Sequence, residues 1–378
     1  MSAAASTARL LALVLGVGAL GGIVLPAVVA GSPAPGAGSA GSAALTLPVP
    51  APSPARDPRS DDDNAGDGPA AAGEALAVRL LRRAAAAGNE RTYSGTQFVT
   101  SWSTAGTSSV VVDLQHAAGH GVEVRLSGAG GSGIIEDAAA ATLDARALAV
   151  MERHYTLSVA TQLARCAGRP ARVVQARPRG SSAVAGRFWL DVATGLVLRR
   201  ELHDRAGRTV RAAAFVDLQL GAPQPWVGST HGTAMSRGSA LDAAQITGLR
   251  RAGWQIPGKL SSGLELFDAR TSAGALHLSY TDGLFAVSVF SQRGRLDPRS
   301  VVGWQYTTMA GTPAWTRPGL SQRVVWAGSD RVYTAVADAP ARVVAGAVEA
   351  FPVAGADSFA RRIARGLHRM GSWVDPRR

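Results

Sequence analysis

The chain has 378 residues and one cysteine, and 39 Lys and Arg against 27 Asp and Glu give it a formal net charge of +12 at pH 7. A lone Cys166 excludes an intramolecular disulfide, so the fold must rest on packed apolar residues. The basic excess is spread along the chain, without zinc-finger spacing, a helix-turn-helix pattern or a basic stripe with interleaved aromatics. This excludes nucleic acid as a partner and favours anionic lipid, an acidic protein or a cell-surface polymer.

Arg9 precedes an uncharged run from Leu10 to Ala30, long enough for about 30 Å of helix. The positive charge ahead of the run predicts export of everything that follows. Val28-Val29-Ala30 offers the small residue of a cleavage site, so residues 1–30 read either as a signal peptide or as a single transmembrane span. The protein is therefore expected outside the cytoplasmic membrane, tethered by that span or released after cleavage. Residues 31–73, rich in Pro, Gly, Ser and Ala, read as a disordered linker. Asp61-Asp62-Asp63-Asn64 with Asp67 fails as a calcium loop, because Ala65 stands fifth and no Glu stands twelfth.

Residues 74–221 read as the first folded unit. A helix from Glu74 to Gly88 collects Leu76, Leu80, Leu81 and Ala84 on one face. Strands follow over Tyr93 to Val99, Val110 to Leu114 and Val122 to Leu126, and then a helix over about Ala138 to Arg153 with Leu143, Ala147, Leu148 and Met151 as its apolar side. From Ala171 a meander runs through Arg172 to Arg177, Arg187 to Leu190, Val197 to Leu202 and Thr209 to Leu220. Its short connections imply antiparallel neighbours, and the unit reads as a curved, unclosed antiparallel sheet with helices on one side, an α+β arrangement.

Residues 222–249 read as a connector with a helical turn over Asp242 to Ile246, and residues 250–378 as a smaller antiparallel β domain with a terminal helix. The clearest element of the latter is a hairpin. Asp282-Gly283 separates Ala275 to Thr281 from Leu284 to Phe290, with Leu276, Leu278 and Tyr280 on one strand face and Phe285, Val287 and Val289 on the other strand's. Val301 to Thr307, Ser321 to Trp326 and Val332 to Val336 supply further strands. Phe359, Ile363, Leu367 and Met370 recur at helical spacing, flanked by Arg361, Arg362, Arg365 and Arg369. Those four arginines are candidates for contact with a partner or an anionic membrane surface.

No catalytic constellation competes with a binding role. The serines at 94, 127 and 288 lack a G-x-S-x-G context, and the seven histidines show no clustered ligand spacing. The loop Gly128-Ala129-Gly130-Gly131-Ser132-Gly133 lacks the Lys-Ser/Thr ending of a phosphate loop. The reading is a non-enzymatic module with no catalytic, metal or cofactor residues. A sheet left unclosed beneath its helices leaves an apolar groove, for which Phe98, Val112, Val124, Phe188 and Leu198 are the candidates.

Several stretches resemble one family. Glu152-Arg153-His154-Tyr155-Thr156-Leu157, Ala167-Gly168-Arg169-Pro170-Ala171, Arg177-Pro178-Arg179 and Phe188-Trp189-Leu190-Asp191-x-x-Thr194-Gly195-Leu196-x-Leu198-Arg199-Arg200-Glu201 are similar to the RseB/MucB family of exported sigma-factor regulators. Tyr280-Thr281-Asp282-Gly283-Leu284-Phe285-Ala286-Val287-Ser288-Val289-Phe290 resembles that family's Y-S-D-G-L-x-x-x-S-V stretch, with Thr281 where Ser is usual. The apolar run, the Ala/Gly/Pro stretch and the Arg- and Ala-rich composition look like the actinobacterial branch. The resemblance implies a half-barrel of the LolA/LolB kind in the first unit. It also implies a single-span anti-sigma factor as partner, whose extracytoplasmic part is shielded from proteolysis in envelope-stress signalling. The alternative is a carrier that binds lipid or another apolar envelope molecule. Actinobacterial cells lack lipopolysaccharide, the family's inducing ligand in Gram-negative cells.

Overall fold

The computed structural model describes residues 68–103, 106–118, 121–126, 143–221, 239–272, 274–328 and 330–351. Two antiparallel sheets form the frame. The first has nine strands in the order β3-β2-β1-β9-β8-β7-β6-β4, with β5 paired to β6 off that path. The elements are α1 (Gly68–Glu90), β1 (Tyr93–Ser103), β2 (Gly106–Ala117), β3 (Gly121–Leu126), α2 (Ala145–His154), β4 (Tyr155–Val159), β5 (Ala164–Cys166), β6 (Arg169–Pro178), β7 (Gly186–Asp191), β8 (Val197–His203) and β9 (Thr209–Leu220). β3 and β4 end the order without meeting, so the sheet is unclosed.

Helix α1 lies on β4, β6 and β7. Its buried stripe is Ala77, Leu81 and Ala84, while Leu76 turns outward. The alanines permit a close approach that a row of leucines would hold off. Helix α2 starts at Asp144, whose Oδ1 accepts the Ala147 N–H at 2.6 Å, and buries Leu148 and Met151 beside α1. Its predicted start near Ala138 lies outside the described residues.

The second sheet has eight strands in the order β10-β11-β12-β13-β17-β16-β15-β14. Its elements are β10 (Ser239–Ala240), α3 (Ala243–Arg251), β11 (Glu265–Ser272), β12 (Ala275–Thr281), β13 (Ala286–Arg293), a 3-10 turn (Pro298–Val301), β14 (Gln305–Met309), β15 (Thr312–Arg317), β16 (Gln322–Ala327), β17 (Arg331–Ala337) and α4 (Ala341–Ala350). One sheet face packs Leu278, Tyr280, Val287, Val289, Val324 and Trp326 against Val343, Val344 and Ala347 of α4. The α+β class and the pair of antiparallel sheets are as the sequence indicates. Residues 239–251 attach to this sheet: β10 pairs with β11, and Leu241, Ile246 and Leu249 pack against its core.

The expectation of a transmembrane segment requires correction. Among the described residues no helix is long and apolar enough to cross a membrane. The run from Leu10 to Ala30 lies outside the described residues, as does the terminal helix expected over Phe359 to Met370.

Candidate functional site

The hairpin between β12 and β13 does more than join two strands. Its turn, Asp282-Gly283-Leu284-Phe285, inserts into the first sheet's core, where Leu284 and Phe285 pack with Leu148, Met151, Tyr155 and Phe188. Asp282 shapes the turn: its Oδ1 accepts the N–H groups of Leu284 and Phe285 at 2.9 and 2.8 Å. Its other oxygen accepts the Tyr155 hydroxyl at 2.7 Å. Burial, reinforced by the adjacent carboxylate, raises the Tyr155 pKa far above the ordinary phenol range. Gly283 adopts a φ of +88° against α2, where a Cβ would stand 2.4 Å from the Met151 nitrogen and 2.6 Å from the Ala147 carbonyl. Both its conformation and its contact require glycine. Gly186 gives way in the same manner, since a Cβ there would meet Leu284 at 2.6 Å.

Charged groups surround this insertion. Arg146 of α2 donates to the Phe267 carbonyl and stacks over that ring at 4.1 Å, and Arg153 pairs with Glu265 at 2.8 Å. Arg200 of β8 donates through Nη2 to the Leu284 carbonyl at 2.5 Å. Desolvation, with Arg211 nearby, lowers the Arg200 pKa to about 10. Buried Arg211 of β9 pairs with Asp338 at 3.0 Å, and the same carboxylate oxygen accepts the Ser321 hydroxyl at 2.7 Å.

Beneath the insertion lies a cavity of about 90 Å³ on the inner face of the first sheet. Leu114, Leu198, Leu202 and Phe215 contribute an apolar wall; Arg200, Arg211 and Asp338 contribute a polar end, and Leu284 closes one side. Arg200 Nε and Asp338 Oδ2 are shielded from solvent and have no hydrogen-bond partner among the described residues, which leaves the polar end one donor and one acceptor to offer. Such a space takes a short apolar segment carrying a polar terminus, or several waters. Among the described residues no group of His, Cys, Asp and Glu could hold a metal ion.

Of the sequence-predicted groove residues, Leu198 lines this cavity. Val112 and Phe188 are buried in the packed clusters, each 1% exposed, and Phe98 is 46% exposed. Val124 lies on β3, of whose side chains nothing is described. Arg361, Arg362, Arg365 and Arg369 lie outside the described residues. The junction residues Arg200, Arg211 and Asp338 are absent from the sequence-based candidates. A signal existed for the arginines: Arg200 shares the inward parity of Leu198 and Leu202, and Arg211 that of Ala213 and Phe215.

An unclosed sheet with helices packed on it, joined to a second sheet by an inserted hairpin, defines a two-sheet α+β protein. Residues 123–231 match the family model of the MucB/RseB N-terminal domain. That match spans less than a third of the chain. A solved structure of MucB is 20% identical and covers 73% of this chain and 98% of its own, with a TM-score of 0.41. The Pseudomonas aeruginosa MucA/MucB complex structure is 21% identical, with coverages of 74% and 100% and a TM-score of 0.38. A putative outer membrane lipoprotein-sorting protein domain from Vibrio parahaemolyticus is 12% identical, with coverages of 40% and 93% and a TM-score of 0.20. No curated protein matches the chain by sequence.

Proposed function

We propose that this protein is an exported, non-catalytic negative regulator of the actinobacterial type. It binds the extracytoplasmic part of a single-span anti-sigma factor and tunes that factor's proteolysis. One observation carries the reading: the family-like stretches from both units meet in space. Tyr155, within Glu152–Leu157, bonds Asp282, within Tyr280–Phe290, and Gly283 seats on Met151. The test is titration of the full chain with the extracytoplasmic segment of a single-span anti-sigma factor from the same organism. A 1:1 complex is expected, and no complex at micromolar concentrations refutes the reading.

The cavity supports a second reading, capture of an apolar envelope molecule such as a lipid acyl chain. Leu198, Leu202, Phe215 and Leu284 supply its walls. Native mass spectrometry of the full chain should then show a bound molecule that Leu198→Trp excludes. Arg361, Arg362, Arg365 and Arg369 are proposed to hold the protein near an anionic surface or its partner. Their joint replacement by glutamine should weaken liposome or partner binding.

A further inference from the structure

The free edge of the second sheet is a surface of a different kind from the junction. Among the described residues β14 ends the strand order and pairs only with β15. Its register is regular, and Gln305-Tyr306-Thr307-Thr308-Met309 contains neither charge nor proline, the devices that ordinarily blunt an edge. Tyr306 is 64% exposed, and Val302 just before the strand is 79% exposed. Tyr306 stands edge-on to Trp315 of β15, their centroids 5.5 Å apart.

Two residues beyond Trp315, and so on the same sheet face, is Arg317, directly opposite Arg323 of β16. Like charges at opposed positions destabilise a sheet. Neither guanidinium meets a carboxylate among the described residues. Burial and the neighbouring Arg317 both lower the Arg323 pKa from the usual arginine range. Two face-to-face arginines without a counter-ion among the described residues, beside an unguarded edge and the exposed Tyr306, complement a strand that carries carboxylates.

We propose that β14 is a strand-addition edge that takes an extended acidic peptide segment of a partner protein. Its backbone pairs with Gln305–Met309 and its carboxylates reach Arg317, whose positive field Arg323 opposite it reinforces. An added strand would lie two strand spacings from β15, about 10 Å, within the combined reach of an arginine and a glutamate side chain. Backbone pairing supplies affinity and the arginines supply sequence preference. A second copy of β14 is the poorer occupant, because it is uncharged and brings arginines toward arginines. The surface stands independently of the anti-sigma reading, since none of these residues lines the junction cavity.

The probe is a terminally blocked decapeptide alternating Glu with Val and Thr, set against its Lys-for-Glu counterpart. Binding to the full chain is followed by tryptophan fluorescence and by amide hydrogen exchange. The Glu peptide should protect amides within 305–309 and bind about tenfold more tightly than the Lys peptide. Tyr306→Lys and the double variant Arg317→Gln/Arg323→Gln should each weaken it by about tenfold. The double variant Arg317→Lys/Arg323→Lys, which keeps the charge, should retain most of the binding and controls for folding. Equal affinity for the two peptides, undiminished binding by the glutamine variant, protection elsewhere, or a dimer formed through β14 without peptide would each overturn the proposal.

Discussion

Asp338 illustrates how much the junction asks of one side chain. A single carboxylate oxygen accepts from both Arg211 and Ser321, and the acid sits with Arg211 in a buried setting. Removing the charge leaves Arg211 desolvated without a counter-ion, which costs about 3–5 kcal/mol. Asp338→Ala should therefore show a large fall in urea-unfolding free energy. The double variant Arg211→Met/Asp338→Leu, which removes both charges, should recover much of it. A fall below about 1 kcal/mol for the single variant would mean that water replaces the carboxylate.

His277 gives the molecule a pH dependence. Its ring stacks on Phe290 at 4.4 Å, and Nε2 lies 3.0 Å from the Ser288 hydroxyl and 3.2 Å from that of Ser279. Burial pushes its pKa down to about 4, with Asp268 opposing and Arg270 assisting. A base whose folded pKa lies below its unfolded value contributes fully above the unfolded value, near 6.5. That contribution falls as pH drops toward 4, because the unfolded chain takes up the proton first. The loss approaches roughly 3 kcal/mol by pH 4. The Arg153 guanidinium beside Glu265 holds that carboxylate below its ordinary range, so its contribution is complete above the ordinary value near 4.5 and is lost as pH falls from there through the lowered folded value. Urea midpoints measured from pH 7 to pH 4 should fall in the native chain and flatten in His277→Gln. An equal slope in both would assign the dependence to other groups.

At the scale of elements, the inserted turn is the most exacting contact between the sheets. Gly283→Ala would place a methyl group 2.4 Å from backbone in α2 while straining a positive φ, so the turn must withdraw. A loss of about 2–3 kcal/mol is expected, with the single calorimetric transition splitting into two as the sheets uncouple. Leu284→Ala should cost about 2–4 kcal/mol by leaving a void against Phe188 and Met151 while the turn remains seated. The surface pair Arg82 and Glu152, at 3.1 Å with the arginine 63% exposed, is a control whose removal should change stability by less than about 1 kcal/mol.

These elements also show where local pattern suffices. Alternation located β9 and β12 and placed Leu278, Tyr280, Val287 and Val289 on the face that α4 covers. The same pattern assigned Leu284 and Phe285 to a strand, whereas they form the turn, because their burial comes from the other sheet. β4 follows α2 without an intervening turn, and β15 contains Pro313; neither announces itself by local chemistry. The site was legible only in part. Leu198 followed from alternation, but the pairing of Arg211 with Asp338 spans 127 residues and depends on how the sheets meet.

For the whole molecule, the junction makes the two sheets a candidate single recognition unit. A partner bound across both should stabilise them together, raising the melting temperature in a concentration-dependent way. Gly283→Ala should weaken that partner even though Gly283 need not touch it. Shielding of an anti-sigma factor by this chain would be read in the rate of anti-sigma cleavage. The full-length factor in vesicles is mixed with its membrane-site protease, with and without a stoichiometric amount of the full chain. Cleavage should be slowed at least about tenfold by the native chain, corresponding to about 1.4 kcal/mol of protection, and substantially less by Gly283→Ala. An unchanged cleavage rate in the presence of the folded native chain would contradict it.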